Sequence, residues 1–315
     1  MSELLFPVVD PVALQLGPVA FRWYGLSYVA GYLGLYLAFF YLCKKGFIKS
    51  KTDNLDNLIY WVAGLTFLGG RLGEALIYTH ALLNPLLFIR VWEGGLSFHG
   101  AMLGTFSGFY VWARRNRVDF LRIADGGGLG VWAGIFLGRM ANFVNGELYG
   151  RVTDSSVPWA MRFPTDPLVP GLLGFRDGMS LRERELTILE ADRIGAWERV
   201  RHLVPLRHPS QVYEALGEGL LLGCTMWVVY LLTRHKPWKG GAYSVCAVIG
   251  YGVIRFVIEY FREPEAQWVT PDNPGGAVLL GMTTGQVLCA AMVVIGAALL
   301  AVRHKTAWVE RVPPE

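Results

Sequence analysis

Seven mostly apolar stretches divide the chain, at residues 21–43, 57–78, 96–113, 126–145, 211–232, 242–261 and 276–302. At ~1.5 Å of rise per residue, a helix of about twenty residues crosses the ~30 Å hydrocarbon core of a bilayer. The pattern predicts an all-α polytopic membrane protein, a bundle of about seven transmembrane helices. Between the fourth and fifth stretches the pattern changes: residues 147–210 are mixed polar, with Pro158, Pro164, Pro167 and Pro170. That is too long for a simple connection and predicts a small extracytoplasmic head. The chain then divides into residues 1–146 with spans one to four, the head at 147–210, and residues 211–315 with spans five to seven and a cytoplasmic tail. Within the head, residues 181–200 repeat apolar positions at three- and four-residue intervals, which predicts an amphipathic helix lying on the membrane surface.

Composition supports a membrane protein. Of 315 residues, 53% are hydrophobic and only 17% charged, and 38 are glycine, which lets helices approach closely. Charge placement adds an orientation. Lys44, Lys45, Lys49 and Lys51 follow span one; Arg114, Arg115, Arg117 and Arg122 follow span three. Arg234, Lys236 and Lys239 follow span five, and Arg303, Lys305 and Arg311 follow span seven. The short loops on the opposite side offer little beyond Arg90 and Arg262. By the positive-inside rule the N-terminus is outside and the C-terminus cytoplasmic. The first eighteen residues carry no Lys or Arg and no cleavage site follows a short apolar core, so the first stretch is expected to stay as an anchor. Cys43, Cys224, Cys246 and Cys289 sit in or beside apolar stretches without a C-x-x-C pair and are expected to be reduced, buried fillers.

Polar groups inside apolar spans need a partner or a task. Arg71 and Glu74 lie three residues apart in span two and can pair. His99 lies at the start of span three, where it is either a hydrogen-bonded structural residue or a general base or proton relay, a role that suits histidine as a residue type. Span four ends in GRMANFVNGELYG, residues 138–150. Arg139 and Asn142 share one helical face there, and a guanidinium beside two amides suits a phosphate ester. Ser210 is a possible N-cap of span five, and Glu214 and Glu218 follow one turn apart; Glu214 can counterbalance a buried arginine elsewhere. Arg255 and Glu259 are one turn apart in span six, with Arg262 three residues on. Arg71, Arg139, Arg255 and Arg262 all lie near the outer ends of their spans, and they exceed what Glu74 and Glu259 neutralise. The excess predicts an anionic ligand near the headgroup region. Arg22, Trp23 and Tyr24 fit an interfacial belt, and Tyr24 can also hydrogen-bond a headgroup.

The 138–150 stretch closely resembles the signature of bacterial prolipoprotein diacylglyceryl transferases, with Gly138, Arg139, Asn142, Asn145, Glu147 and Gly150 at its fixed positions. The resemblance runs over nearly the whole chain, through RWYGLSY at 22–28, GGR at 69–71, SFHG at 97–100, RHPSQ at 207–211 and RFVIEYFREP at 255–264. The chain departs at Glu74, where an aromatic residue is common, and its head is extended. The resemblance implies transfer of a diacylglyceryl group from phosphatidylglycerol to the lipobox cysteine thiol of a preprolipoprotein signal peptide. The products are a thioether and glycerol 1-phosphate, released at the outer face of the cytoplasmic (inner) membrane. It implies no metal or redox cofactor, partners that are membrane lipid and peptide, and no nucleic acid. The roles that follow place Arg139 on the phosphate, with Asn142 and Asn145 orienting the headgroup. His99 assists thiol deprotonation, or hydrogen-bonds a headgroup oxygen while Arg255 lowers the thiol pKa. Arg255 stabilises the leaving phosphate, Glu259 holds that arginine, and Arg262 completes the anion site. Glu147 and Gly150 shape the outer turn, and Tyr24 contacts lipid or substrate.

Other classes fit less well. A solute transporter would place its arginines along a route and commonly shows two related halves; no repeat is visible here. Neither G-x-S-x-G nor H-E-x-x-H occurs, which argues against a membrane hydrolase or protease. A lipid-binding scaffold would use the same arginines without turnover.

Overall fold

The computed structural model describes residues 4–17, 19–77 and 96–305. Tyr78, Arg90 and Arg311, which enter the span and charge patterns above, lie outside them. An antiparallel hairpin, β1 (Val12–Leu16) and β2 (Val19–Arg22), leads straight into α1 (Trp23–Lys44). There follow α2 (Leu55–Ile77), α3 (Phe98–Arg115), α4 (Phe120–Gly130) and α5 (Trp132–Val144). The polar segment holds α6 (Leu181–Arg193). Then come α7 (Ser210–Thr233), α8 (Ala242–Ile258), the short hairpin β3 (Ala277–Leu279) and β4 (Met282–Thr283), and α9 (Thr284–Lys305).

Helices occupy all seven predicted places, with corrections at their ends. Among the described residues, three helices are long and apolar enough alone to cross a membrane: Trp23–Lys44, Ser210–Thr233 and Thr284–Val302. Span four is not one helix from Gly126; it is the pair α4 and α5, bent by 40°. Span seven begins eight residues later than its apolar pattern, because residues 277–283 turn back on themselves as β3 and β4. The predicted amphipathic helix stops at Arg193. Gly195, at φ 70°, ends it, and a separate turn, Ala196–Val200, follows. Its start is sharp: Ser180 and Glu183 form a reciprocal capping box that satisfies the first orphan amides.

The chain forms two compact units, and long helices contribute residues to both. One comprises Tyr32–Val131, Met226–Cys246 and Leu300–Glu315. Its main feature is the seam between α2 and α3. A Cβ on Gly69 would meet the Gly100 carbonyl oxygen at 2.3 Å, and one on Gly104 would meet the Leu65 oxygen at 1.9 Å. Only hydrogen fits there, so the two backbones touch, as small residues allow in membranes. The Thr66 and Thr105 hydroxyls bond across the seam at 2.7 Å. At the start of α8, the fully buried carboxylate of Asp125 accepts the amides of Gly241 (2.7 Å) and Ser244 (3.0 Å), satisfying donors a helix start leaves open.

The other unit comprises Met1–Gly31, Trp132–Thr225 and Ala247–Leu299. Here Gly219 of α7 packs on the backbone of Phe136 in α5, and Gly252 of α8 packs on the Cys289 carbonyl of α9. The polar segment contributes to two small cores, the first shared with Phe6 and with Phe143 of α5. Phe6, Phe143, Met161 and Phe163 form one, and Val169, Ala191, Trp197 and Val204 another. Ion pairs tie α6 to the N-terminal hairpin: Arg22 to Glu185 at 2.6 Å, and Arg182 to Asp10 at 2.6 Å. Cys43 and Cys289 are buried, whereas Cys224 is exposed on α7, contrary to its expected burial.

Candidate active site

The site assembles in the second unit, where α5, α7 and α8 carry charge within apolar sequence. Arg139 projects from α5 toward α7, placing Nη1 3.2 Å from Glu214 and Nη2 3.7 Å from Glu218. Arg255 of α8 pairs with Glu214, lies 3.4 Å from Glu218, and reaches Glu259 one turn on at 3.3 Å. Arg262, just past the end of α8, pairs with Glu214 and lies 3.3 Å from Glu259. Thr283 donates a further hydrogen bond to Glu259 at 3.2 Å.

This corrects the charge balance read from sequence. Arg139, Arg255 and Arg262 face Glu214, Glu218 and Glu259, so the cluster has three charges of each sign. The excess vanished because α7 delivers two carboxylates that are distant in sequence from the arginines. The two signs are not equally placed, however. Glu214 and Glu218 are 0% exposed, while Arg139 retains 23% and Arg262 19% of side-chain exposure. Buried carboxylates fix the guanidinium groups from beneath, and the accessible side presents donors.

Glu214 and Glu218, one turn apart, share a face of α7, which opens here into a π-helix, Ala215–Leu221. Such wide turns are uncommon and frequent at functional sites.

The signature turn is clamped by the RHPSQ segment. After α5, Gly146 takes φ 67° and Leu148 φ 57°. Gln211 donates to the Glu147 carbonyl at 2.6 Å and Ser210 to the Leu148 carbonyl at 3.1 Å. Ser210 is therefore not an N-cap: Pro209 holds that position, and the hydroxyl serves the turn. The Gly150 amide donates to the His208 carbonyl at 2.8 Å and the Arg151 amide to the Phe261 carbonyl at 2.8 Å. Gly150 thus lies in a backbone bridge opposite Arg262, and a Cβ there would sit 2.1 Å from the Phe261 oxygen. Arg207 spans Asp166 at 2.7 Å and Glu263 at 2.6 Å and covers the Tyr149 ring.

Asn142 and Asn145 both turn inward, each Nδ2 donating to Glu147 Oε1, at 2.9 and 3.0 Å. One N–H of each is thereby committed to Glu147. The Asn145 Oδ1 is buried without a hydrogen-bond partner and stands as an open acceptor. Tyr24 is exposed on the first turn of α1, its hydroxyl 3.1 Å from that of Tyr28. His99, Arg71 and Glu74 belong to the other unit. His99 is exposed on the first turn of α3, whose N-cap is Ser97, and Arg71 is buried.

The structure thus brings together Arg139, Arg255, Glu259 and Arg262, and beside them Asn142, Asn145, Glu147 and Gly150. Sequence reasoning left Glu218 and the clamp residues Ser210 and Gln211 outside the site. The signal for the glutamates was present, as two carboxylates one turn apart in an apolar span demand partners.

A family model described as prolipoprotein diacylglyceryl transferase matches residues 11–302. The chain belongs to the prolipoprotein diacylglyceryl transferase family. Among its relatives is a protein of Photobacterium profundum, 38% identical over 305 residues, with 96% of each chain covered. Another, from Idiomarina loihiensis, is 37% identical over 304 residues, 94% of this chain and 93% of the relative. A third, from Rhodospirillum rubrum, is 35% identical over 308 residues, 97% of this chain and 96% of the relative. Each is named phosphatidylglycerol--prolipoprotein diacylglyceryl transferase.

Proposed function

We infer that this membrane protein transfers the diacylglyceryl group of phosphatidylglycerol to a prolipoprotein, the first step of lipoprotein maturation. Support comes from family membership over nearly the full chain and from the arginine cluster. In the finer reading the acceptor is the lipobox cysteine thiol of a signal peptide. Its sulfur forms a bond to the glycerol carbon, the bond from that carbon to the phosphate oxygen breaks, and glycerol 1-phosphate leaves. The thiol proton must go elsewhere, because a thiol of pKa about 8.5 is mostly protonated at neutral pH.

Partly exposed guanidinium groups held by buried carboxylates support placing the phosphate at Arg139 and Arg255. Such donors are fixed before reaction and are worth more where water is scarce. Glu259 and Glu214 hold Arg255, and Arg262 adds a third cation. The open Oδ1 of Asn145 suits a headgroup hydroxyl. Glu147 orders both asparagines, and Gly150 lets the turn press against residue 261. Tyr24 is assigned to lipid or peptide contact, and His99 to assisting thiol deprotonation. Orientation follows the loop charges: N-terminus outside, C-terminus cytoplasmic, in the cytoplasmic (inner) membrane, with residues 147–210 extracytoplasmic.

The observation that carries the site is the contact of Arg139 with both buried glutamates. The test is a transfer assay with purified protein, phosphatidylglycerol vesicles and a lipobox peptide, read by mass spectrometry. The native protein adds one diacylglyceryl unit to the cysteine, and Arg139→Ala adds none. An adduct formed at the native rate by Arg139→Ala refutes the site.

A further inference from the structure

We propose that Glu218 competes with phosphate for Arg139 and Arg255, and so sets how tightly glycerol 1-phosphate is held after transfer. The inference rests on the reading that these arginines bind the phosphate.

The two glutamates of α7 are held very differently. Glu214 Oε1 takes both Arg255 and Arg262 in close hydrogen bonds, and its Oε2 lies 3.2 Å from Arg139. Glu218 touches the cluster only at 3.4 and 3.7 Å; its Oε2, like that of Glu214, is buried with no hydrogen-bond partner, but its Oε1 has a single long bond where that of Glu214 has two close ones. A fully buried carboxylate so poorly satisfied is costly, because its desolvation is not repaid by close bonds. It also lies beside Arg139, the most exposed arginine of the cluster, and Arg255.

The backbone around Glu218 has little freedom. Gly219 packs on Phe136 of α5 and Gly217 on Ile254 of α8: an added Cβ would sit 2.7 Å from the Phe136 Cα and 2.9 Å from the Ile254 Cγ2. The carboxylate stays near the arginines, whether or not an anion occupies them.

The consequence is electrostatic. The cluster alone is neutral, so an arriving phosphodiester must share Arg139 and Arg255 with Glu218. The leaving phosphate monoester acquires a second negative charge near neutral pH, with a second pKa of about 6. Like charges at close range in a partly buried site repel strongly. The carboxylate therefore weakens the hold on product more than on substrate, and favours release once the bond to carbon has broken.

The test uses the full chain in lipid nanodiscs, with glycerol 1-phosphate and inorganic phosphate titrated by calorimetry. Glu218→Gln removes the charge and keeps the shape. It is expected to bind glycerol 1-phosphate at least tenfold tighter than native protein, with product inhibition stronger to match. Its kcat falls, while KM for phosphatidylglycerol does not rise, a split that mere loosening of the bundle would not produce. Glu218→Met, neutral and apolar, repeats the comparison if the amide variant fails to fold. Binding no tighter than native in a folded neutral variant overturns the proposal. Arg139→Ala decides the underlying reading separately: if it binds glycerol 1-phosphate as native protein does, the phosphate site lies elsewhere, whatever Glu218 does.

Discussion

Gly150→Ala is expected to damage both stability and transfer, through geometry alone. The added methyl would stand 2.1 Å from the Phe261 carbonyl oxygen and 2.9 Å from His208, against an ordinary contact of at least 3.4 Å. Neither obstacle is the tip of a flexible side chain: one is backbone, and the other is backbone and Cβ. The bridge must open by more than an ångström. That breaks or stretches three bonds: Gly150 amide to His208, Arg151 amide to Phe261, and His208 amide to Arg151, now at 2.8, 2.8 and 3.1 Å. At about 1 kcal/mol net for each, plus the cost of orphaned backbone groups, the loss is about 2–4 kcal/mol. The functional loss is larger, because Arg262 follows Phe261 directly and its pairing with Glu214 shifts with the bridge. A misplacement of ~1 Å at a positioned group costs ~10²-fold in rate. The assay is thermal unfolding in detergent beside diacylglyceryl transfer. Gly138→Ala is the control, since a Cβ there meets nothing within 4 Å. Alanine within a helix gains ~0.5–1 kcal/mol over glycine, so its melting temperature holds or rises. A Gly150→Ala protein that melts and turns over like native would refute the reasoning.

Glu214→Gln is expected to destabilise the protein by ~3–5 kcal/mol, because it strips the carboxylate shared by Arg139, Arg255 and Arg262; an unchanged melting curve would mean those pairs contribute nothing. His99→Gln should lower kcat and remove the rise of rate with pH that a base produces; near-normal turnover with an unchanged pH profile would sink its assignment as the base. At the N-terminal hairpin, the hydrogen bond from Arg182 holds the Asp10 carboxyl below its usual range, with partial burial opposing. The folded pKa is depressed, so this stabilisation is present above the unfolded value of about 3.9 and is lost as pH falls through the folded one. Amide exchange at residues 12–22, corrected for intrinsic rates, should accelerate below pH ~4 in native protein. Asp10→Asn should show that faster exchange at neutral pH, and native-like protection in it would refute the link.

The helices were legible because apolar runs of membrane-spanning length have few alternative readings. Their ends were less so. The 40° bend between α4 and α5 falls within one apolar run, and β3 and β4 are as apolar as the helix they precede. Pattern alone does not separate a hairpin from a further turn of helix in such sequence. At the site, Arg255 and Glu259 were legible as a pair because they lie one turn apart. The closure of Arg139 and Arg262 onto Glu214 joins residues 75 and 48 positions apart, which no local rule reports. The π-helical turn was hidden for another reason: ALGEGLL satisfies the α-helical pattern as well as the wider one. Ser210 shows the opposite error, since its residue type suits a cap, yet its hydroxyl went to a carbonyl brought from 62 residues away.

The seam between α2 and α3 bears on how the protein is made. These helices are near neighbours in the chain, and they meet through Gly69, Gly73, Gly100, Gly104 and Gly108, so their contact needs little loop entropy and no other part of the bundle. As nascent chain leaves the ribosome, this pair can zip together before the last three helices have been synthesised. A bulky residue at Gly104, where the clearance is 1.9 Å, would then act early, leaving an unpaired hairpin exposed to membrane proteases. Its signature in cells would be low abundance of the protein, distinct from the full-length but inactive product expected when an arginine of the site is removed.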